Sequence, residues 1–245
     1  MLLTIWGFSY LIVSMIFLLP FGITAIFFYF LGFRKSMMQF ICNIGQVWAK
    51  IMIFTLGCKA AVSGMENIPR NEGICFVSNH DGYFDIVLLL AFCGRPIGFI
   101  AKRELALIPF LNMWIILIGG LYIDRKNIRK AVRTINKGVE RIKSGGAMII
   151  FPEGHRSRGR GLLPFHSGSL KLATQANAKI IPVAISGSSN VFEKSGRILR
   201  SSLKINFCPP IVTADLSHEE KKQTLSDHIF SVIKAELEKQ DKVSL

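Results

Sequence analysis

Charged side chains are missing from the first 33 residues of this chain, and acidic ones are scarce through its middle. Positions 94–204 contain 20 lysines and arginines but only 5 aspartates and glutamates, and the whole chain has a net charge of +14. With 50% hydrophobic residues, the chain does not have the composition of a disordered protein. The basic middle indicates an anionic partner: nucleic acid, phospholipid head groups, a phosphorylated substrate or an acidic carrier protein.

Cysteines are few, and they lack the paired spacing that zinc and redox sites use. All five lie in mostly apolar surroundings: Cys42, Cys58, Cys75, Cys93 and Cys208. This pattern predicts mostly buried thiols and favours a reducing compartment. The chain also lacks internal repeats, long Pro/Gly/Ser linkers and low-complexity tracts, which indicates a single soluble domain.

The apolar N-terminus predicts association with a membrane. As one continuous helix, positions 1–33 would be about 50 Å long, and they lack the basic start and cleavage site of a secretory signal. Pro20 and Gly22 predict a break into two helices, the second continuing past Arg34 and Lys35. Two arrangements remain open, because the first helix could cross the hydrocarbon core or both helices could lie in one leaflet. Lysines and arginines beyond this segment favour a cytoplasmic location for the rest of the chain.

Short apolar runs alternate with amphipathic runs further along, as expected when helices connect the strands of a parallel sheet. We therefore expect an α/β domain over residues 60–245, with a mostly parallel central sheet flanked by helices. A membrane-associated helical segment over residues 1–59 is expected to precede it. The expected strands are Ile74 to Ser78, Pro96 to Ala101, Leu121 to Asp124, Ala147 to Phe151, Lys179 to Ser186 and Leu203 to Phe207.

Two helices are expected from apolar residues at three- and four-residue steps. The apolar stripe of the first consists of Ile128, Val132, Ile135, Val139 and Ile142. Lysines and arginines occupy other positions of this helix. It is therefore either a solvated helix over a buried stripe or a surface for anionic lipid or an acidic carrier. The second helix, from His218 to about Lys239, is expected to cover the sheet.

A histidine and two carboxylates follow the first expected strand, in the segment Asn79-His80-Asp81-Gly82-Tyr83-Phe84-Asp85. A neutral imidazole can remove a proton from a hydroxyl, and a carboxylate can orient it and stabilise the resulting cation. On a regular helix, His80 and Asp85 would be about 140° apart. They can meet if His80 lies in the strand-to-helix turn, Gly82 relaxes the backbone, and Asp85 lies in the first helical turn.

Two interpretations of this segment stay open on these residues alone. Either His80 and Asp85 form a pair that activates a hydroxyl, or His80 is a hydrogen-bonded turn residue and Asp85 is an acid favoured by the helix dipole. In both cases Asp81 is expected to be the N-cap of the following helix.

A second polar loop, Phe151 to Gly161, follows another expected strand. Ligands of α/β sheets gather at the carboxyl ends of strands. Gly154 would let the backbone approach a ligand, and Arg156 could bind two phosphate oxygens through its planar guanidinium. The loop lacks the Gly-Lys-Ser/Thr arrangement of a P-loop, which argues against ATP chemistry.

Four segments together carry a family signature. They are Asn79-His80 through Asp85, Gly119-Gly120-Leu121-Tyr122-Ile123-Asp124-Arg125, Phe151-Pro152-Glu153-Gly154-His155-Arg156-Ser157 and Ile181-Pro182-Val183-Ala184-Ile185. In this order they resemble the blocks of the glycerolipid acyltransferases, particularly the 1-acyl-sn-glycerol-3-phosphate acyltransferases. One departure is His155, where the family usually has threonine or a similarly small hydroxyl residue.

The resemblance implies transfer of a fatty acyl group from a thioester to the sn-2 hydroxyl of lysophosphatidic acid, giving phosphatidic acid in phospholipid biosynthesis. His80 would be the general base, and Asp85 would orient it. Neither a bound cofactor or metal nor a covalent acyl-enzyme is implied. The implied substrate-binding residues are Lys102, Arg125, Glu153, Gly154, Arg156 and Ser157, with Arg156 as the main ligand of the acceptor phosphate.

The acyl donor is expected to be a thioester of acyl-carrier protein or coenzyme A, and the basic middle slightly favours the acidic protein. Lysophosphatidic acid and anionic membrane lipids are the other expected partners, at the cytoplasmic face of the cell membrane. Glycerol 3-phosphate, another lysophospholipid or a lipid-linked saccharide is an alternative acceptor. A basic membrane-binding scaffold is the non-enzymatic alternative, but it does not explain the ordered blocks. Nucleic-acid binding is not expected, because no groove-reading module accompanies the charge.

Overall fold

The computed structural model describes residues 1–166, 168–214, 217, 219 and 224–242, and among them a mixed eight-stranded sheet lies between two layers of helices. The strands are β1 Lys59–Ser63, β2 Ile74–Ser78, β3 Ile97–Lys102, β4 Leu121–Ile123, β5 Ala147–Ile150, β6 Lys179–Ser186, β7 Ser202–Phe207 and β8 Ile211–Val212. The helices are α1 Leu2–Phe17, α2 Leu19–Phe30, α3 Arg34–Thr55, α4 Phe84–Phe92, α5 Leu111–Leu117, α6 Ile128–Lys143, α7 Lys171–Gln175 and α8 Leu225–Lys242.

The strand order is β1-β7-β6-β2-β5-β3-β4, with β8 paired to β6. Strands β6, β2, β5, β3 and β4 run parallel to one another, whereas β7 and β8 are antiparallel to β6. This architecture confirms the predicted α/β fold with a mostly parallel sheet. Because β2 lies between β5 and β6, the loops that follow these three strands leave the sheet side by side at its carboxyl edge.

All six expected strands are present, and their ends differ from the expected ones by no more than one residue. The sequence pattern misses β1 and β8. β1 alternates between exposed and half-buried residues at the edge of the sheet, and β8 is only two residues long. Neither therefore has the continuous apolar run that marks a central strand of a parallel sheet.

The two faces of the sheet carry separate hydrophobic cores, because successive side chains of a strand point to opposite faces. Ile74 and Phe76 of β2 pack in one core together with α3 and α4. Cys75 and Val77 of the same strand pack in the other core together with α6, α7 and α8. The N-terminal helices and α6 therefore lie on opposite faces of the sheet.

The apolar N-terminus forms three helices rather than the expected two. α1 and α2 are bent by 42° relative to each other, and Pro20 lies in the first turn of α2. Gly32, with a φ of +90°, separates α2 from α3, so Arg34 and Lys35 begin a helix of their own. By length and composition α3 is apolar enough to cross a membrane, as is the bent pair α1 and α2 if it forms one span.

The N-terminal helices pack against the α/β domain. The hydroxyl of Thr4 accepts a hydrogen bond from the N–H of Ile198 at 3.0 Å. Within the helical segment, the Tyr10 hydroxyl donates to the carbonyl of Trp48 at 3.0 Å, and the Trp48 indole donates to the Ser14 hydroxyl at 2.8 Å. The boundary expected near residue 59 coincides with the start of β1, although α3 shares a core with the sheet.

The basic amphipathic helix is present as α6. Val139 and Ile142 are buried, but Ile128 is 79% exposed and Val132 is 51% exposed. The apolar stripe is therefore only partly covered, and its N-terminal half lies on the surface among basic side chains. The covering helix expected near the C-terminus is present as α8, and the start expected at His218 lies outside the described residues.

The cysteines match the sequence prediction. Cys58, Cys75, Cys93 and Cys208 are buried and Cys42 is half-buried, and all five are free thiols. Burial raises the pKa of the Cys75 thiol, which lies in a strand and packs in an apolar core. These properties fit a structural residue rather than a nucleophile.

Gly98 of β3 provides a test of this packing. A Cβ at this position would lie 2.3 Å from the carbonyl oxygen of Gly119. We expect Gly98→Ala to lower the free energy of unfolding by about 2 kcal/mol or more, because backbone must move to relieve the clash. Gly45 of α3 has no heavy atom within 4 Å of such a Cβ, so Gly45→Ala is the matched control and should not destabilise the protein. Thermal unfolding in detergent measures both, and equal melting temperatures would contradict the prediction.

Candidate active site

His80 and Asp85 are in contact at the carboxyl edge of the sheet. His80 lies in the loop after β2 and Asp85 in the first turn of α4, and Nδ1 of His80 is 2.7 Å from Oδ2 of Asp85. Asp85 is fully buried, whereas 18% of the His80 side chain is exposed. Because an ionised carboxylate only accepts, Nδ1 carries the proton and Nε2 is the basic nitrogen. Among the described residues, none hydrogen-bonds to Nε2.

Three donors hold the Asp85 carboxylate. Besides the His80 ring, the N–H of Gly82 donates to Oδ2 at 3.0 Å and the hydroxyl of Ser188 donates to Oδ1. Burial raises the pKa of Asp85, and these donors act in the opposite direction. Gly82 is required here by packing rather than for the backbone freedom expected from the sequence. A Cβ on it would lie 2.9 Å from the Ser188 oxygen and 2.8 Å from Oε2 of Glu193.

Glu153 joins the loop after β5 to the loop after β2. Its Oε1 accepts from the N–H of His80 at 2.7 Å, and its Oε2 accepts from the N–H of Leu163 at 3.2 Å. The side chain is buried, which raises the pKa of Glu153 to about 7, and the charges of Asp85 and Asp81 also raise it. Since both oxygens bind backbone, Glu153 links the two loops, and its expected contact with substrate stays a prediction.

The imidazole of His80 is further held by Phe151. The two rings stack with centroids 4.1 Å apart and an angle of 20° between their planes. Together, the Nδ1 contact, the backbone contact and this stacking leave the ring little freedom to rotate. The imidazole is therefore oriented before any substrate arrives, which is what a side chain acting as a general base requires.

Asp81 connects the loops, and the expectation that it caps α4 is wrong. Its carboxylate accepts from the N–H of Ser189 at 2.9 Å, the N–H of Gly159 at 3.1 Å and the hydroxyl of Ser157 at 3.3 Å. These donors come from the loops after β6 and β5. Asp81 thus ties both loops to its own loop. Asn79 has a similar structural role, because its amide exchanges two hydrogen bonds of 2.8 Å with the backbone of Ile185.

Ser157 and Gly154 also shape the site. Ser157 is buried, its N–H donates to the carbonyl of His80 at 2.7 Å, and its hydroxyl is bound to Asp81. Gly154 has a φ of +72°, and a Cβ on it would lie 3.0 Å from the His166 ring. Ser157 is therefore engaged by the protein itself, whereas Gly154 is partly exposed, and the expected contacts of both residues with substrate stay predictions. His155, the departure from the family motif, is exposed.

Arg156 is held between two groups. Its NH1 donates to Oε1 of Glu193 at 3.0 Å, and its guanidinium carbon lies 3.6 Å from the centroid of the Tyr83 ring. The Arg156 side chain is 22% exposed, whereas that of Glu193 is only 3% exposed. Arg156 therefore lies at the site as expected, but it is fixed by partners that the sequence motif does not reveal.

Lys102 and Arg125 lie at the ends of β3 and β4. Lys102 is exposed and is opposite Ile123 in the parallel pairing. NH1 of Arg125 donates to the carbonyl of Gly154 at 2.7 Å, which joins the second family block to the third. Both cations are thus at the carboxyl edge, and β5 separates their strands from β2.

Comparison with known proteins agrees with this arrangement. A family model described as Acyltransferase matches residues 59–186. A 1-acyl-sn-glycerol-3-phosphate acyltransferase of Borreliella burgdorferi is 33% identical over 179 residues, which cover 72% of this chain and 71% of that protein. The protein of the same name from Escherichia coli is 34% identical over 168 residues, or 68% of either chain.

The chain belongs to the acyltransferase family. The crystal structure of the 1-acyl-sn-glycerophosphate (LPA) acyltransferase PlsC from Thermotoga maritima matches it with a TM-score of 0.84 and 27% identity. That match covers 98% of this chain and 95% of the other, so it includes the N-terminal helices. The family resemblance inferred from the four sequence blocks is confirmed.

Two polar residues of this acyltransferase escaped the sequence analysis. Ser188, which binds Asp85, lies two residues beyond the end of β6 and could have been found, because β6 was an expected strand of the same parallel sheet as β2. Glu193 carries no local signal, since its partners Tyr83 and Arg156 are distant in sequence. In the described ranges, the histidine, cysteine and acidic side chains do not form a group of three or more that could hold a metal ion.

The raised pKa of Glu153 predicts a pH effect on stability. Between the ordinary value of 4.5 and about 7, the folded protein binds more protons at this carboxyl than the unfolded chain does. Its contribution to stability is therefore present at pH 4.5 and is lost as the pH rises through 7. Glu153→Gln removes the titration, so the melting temperature of the variant should rise relative to the parent protein over this range. A constant difference between pH 4.5 and 8 would contradict the assigned pKa.

Proposed function

We propose that this acyltransferase transfers a fatty acyl group from a thioester to the sn-2 hydroxyl of 1-acyl-sn-glycerol 3-phosphate, forming phosphatidic acid. The observation that carries this proposal is the His80 imidazole, oriented by buried Asp85 through Nδ1 and presenting Nε2, at an edge that also carries Arg156. The activity for which the bacterial relatives are named supports the choice of acceptor. Phospholipid biosynthesis is the process that such a reaction serves.

In the proposed mechanism, Nε2 of His80 accepts the proton of the acceptor hydroxyl as its oxygen attacks the thioester carbonyl. A C–O bond forms, the tetrahedral intermediate collapses, and the C–S bond breaks. The imidazolium returns the proton to the departing thiolate, so His80 is regenerated without a covalent acyl-enzyme. Asp85 orients the ring and stabilises its positive charge.

Arg156 is the proposed main ligand of the acceptor phosphate, assisted by Lys102 or Arg125. A guanidinium uses two parallel N–H donors on phosphate, and one charge-assisted contact contributes about 1.5 to 3 kcal/mol. Glu153, Gly154 and Ser157 hold the loop that presents Arg156. An uncharged monoacylglycerol lacks this contact and should be a poor acceptor.

The proposed donor is a thioester of acyl-carrier protein or coenzyme A. The surface half of α6, with basic side chains around exposed Ile128 and Val132, supports an acidic carrier protein. Coenzyme A carries phosphates that the same positive potential attracts. The proposal includes no resident cofactor or metal.

The catalytic domain is proposed to act at the cytoplasmic face of the cell membrane, among anionic lipids. Exposed apolar side chains cover much of α1 and α2, including Phe17 at 75% and Phe30 at 81%. Burying them in lipid removes apolar surface from water, which is favourable by about 25 cal/mol per Å². Placing the site beside the bilayer also spares acyl chains from transfer through water.

The acceptor and donor are tested together with purified protein in native-like membranes. Lysophosphatidic acid, glycerol 3-phosphate, another lysophospholipid and monoacylglycerol are each paired with acyl-coenzyme A and with acyl-carrier protein thioester. The proposal predicts the highest kcat/KM for lysophosphatidic acid. Higher activity on glycerol 3-phosphate or another lysophospholipid would show that lysophosphatidic acid is not the preferred acceptor. Full activity on monoacylglycerol would show that Arg156 does not need to bind a phosphate.

His80→Ala tests the base. We expect kcat to fall by about a hundredfold to ten-thousandfold, because proton transfer by a positioned side chain contributes about that much. The variant should remain folded and bound to membranes. His228, exposed on α8, supplies the matched control, and His228→Ala should keep the parental rate. Undiminished transfer by His80→Ala would rule out the assigned base.

A further inference from the structure

Glu193 is a buried acid that the proposed chemistry does not use. It lies in the connection between β6 and β7, and its side chain is 3% exposed. Its Oε1 accepts from the N–H of Tyr83 at 2.7 Å and from NH1 of Arg156 at 3.0 Å. Burying a charge is costly unless the charge is paired. The contacts with Arg156 and with the N–H of Tyr83 therefore stabilise the Glu193 carboxylate at this position.

These contacts fix the guanidinium of Arg156 from two directions. Glu193 binds one nitrogen in its plane, and the Tyr83 ring lies against its flat face, 3.6 Å from the guanidinium carbon. The Tyr83 ring also packs against Phe192, with centroids 6.2 Å apart. Arg156 is therefore held in one orientation before substrate binds. The partial exposure of its side chain leaves N–H donors available to an anion.

The second oxygen of Glu193, Oε2, is buried without a hydrogen-bond partner within the described ranges. It lies against Gly82, where a Cβ would approach it to 2.8 Å. A buried polar atom without a partner is destabilising, and such an atom in a native structure calls for an explanation. A role of Glu193 in aligning Arg156 explains why a carboxylate lies at this position.

We propose that Glu193 is a positioning residue that orients Arg156 to receive the phosphate of the acyl acceptor. The inference rests on the proposed function for the identity of the acceptor. Glu193 does not touch substrate in this scheme and acts only through Arg156. The connection after β6 therefore contacts the site through two residues: Glu193 binds Arg156, and Ser188 binds Asp85.

The test introduces Glu193→Ala into two proteins, the parent protein and the Arg156→Ala variant, and measures KM and kcat for lysophosphatidic acid in each. In the parent background, KM for lysophosphatidic acid should rise on the order of tenfold, as loss of a charge-assisted contact predicts, with kcat within about twofold. In the Arg156→Ala background, the same change should leave KM unaltered, because Glu193 acts through the missing arginine. Glu140→Ala removes an exposed acid paired with Lys143 and should leave both constants at parental values.

Glu193→Gln keeps the side-chain volume and one acceptor oxygen. Its KM should lie between those of the parent and Glu193→Ala, and its melting temperature shows whether an effect comes from unfolding. A KM at or below the parental value in both variants would overturn the inference, because Glu193 would then compete with phosphate for Arg156. The inference would also be overturned if Glu193→Ala raised KM equally in the parent protein and in Arg156→Ala.

Binding of glycerol 3-phosphate separates this inference from the proposed function. Its effect on melting temperature reports the phosphate site without acyl transfer. We expect stabilisation of the parent protein and loss of that stabilisation in Arg156→Ala and Glu193→Ala. If binding follows this pattern but no lysophosphatidic acid is acylated, the proposed reaction fails and the positioning role stands. If acylation is normal and Glu193→Ala binds like the parent protein, the positioning role fails alone.

Discussion

Parallel pairing of β2 with β5 on one side and β6 on the other is the constraint on which the candidate active site depends. Parallel strands end at the same edge, so three polar loops that are distant in sequence become neighbours. Four acids of these loops are buried there, and each accepts from at least one backbone N–H: Asp81, Asp85, Glu153 and Glu193. Each acid would be costly alone, and each is stabilised by donors from a neighbouring loop.

The connection from β6 to β7 reaches from the active site to the N-terminal helices. Ser188 binds Asp85, Glu193 binds Arg156, and Phe192 packs edge-to-face on Phe8 of α1 at 5.7 Å. Further along, the N–H of Ile198 donates to Thr4. One short stretch of chain thus contacts Asp85, Arg156 and the apolar helix α1. The position of the site relative to α1 is therefore set by direct packing.

The contact between His80 and Asp85 was foreseen on one condition, that His80 lies in the strand-to-helix turn and Asp85 in the first helical turn, and this local geometry is present. The six expected strands were found because apolar runs are also local patterns. Asp81 was wrongly expected to cap α4, since its partners lie in loops that only the fold brings near. The N-terminus was expected to form two helices, and the positive φ of Gly32 separates a third. Short edge strands escaped because they lack apolar runs.

The amino-acid sequence by itself determined the fold class and the family, and it pointed to His80, Asp85 and Arg156 as the candidate site residues. These depend on local patterns: apolar runs, turn residues and the spacing of four blocks. Tertiary structure alone decided which polar residues bind one another and so hold the loops together. Glu153 binds the backbone of His80, the Ser157 hydroxyl binds Asp81, and Arg156 binds Glu193. Such assignments depend on burial and on contacts between distant segments, which a linear motif does not specify.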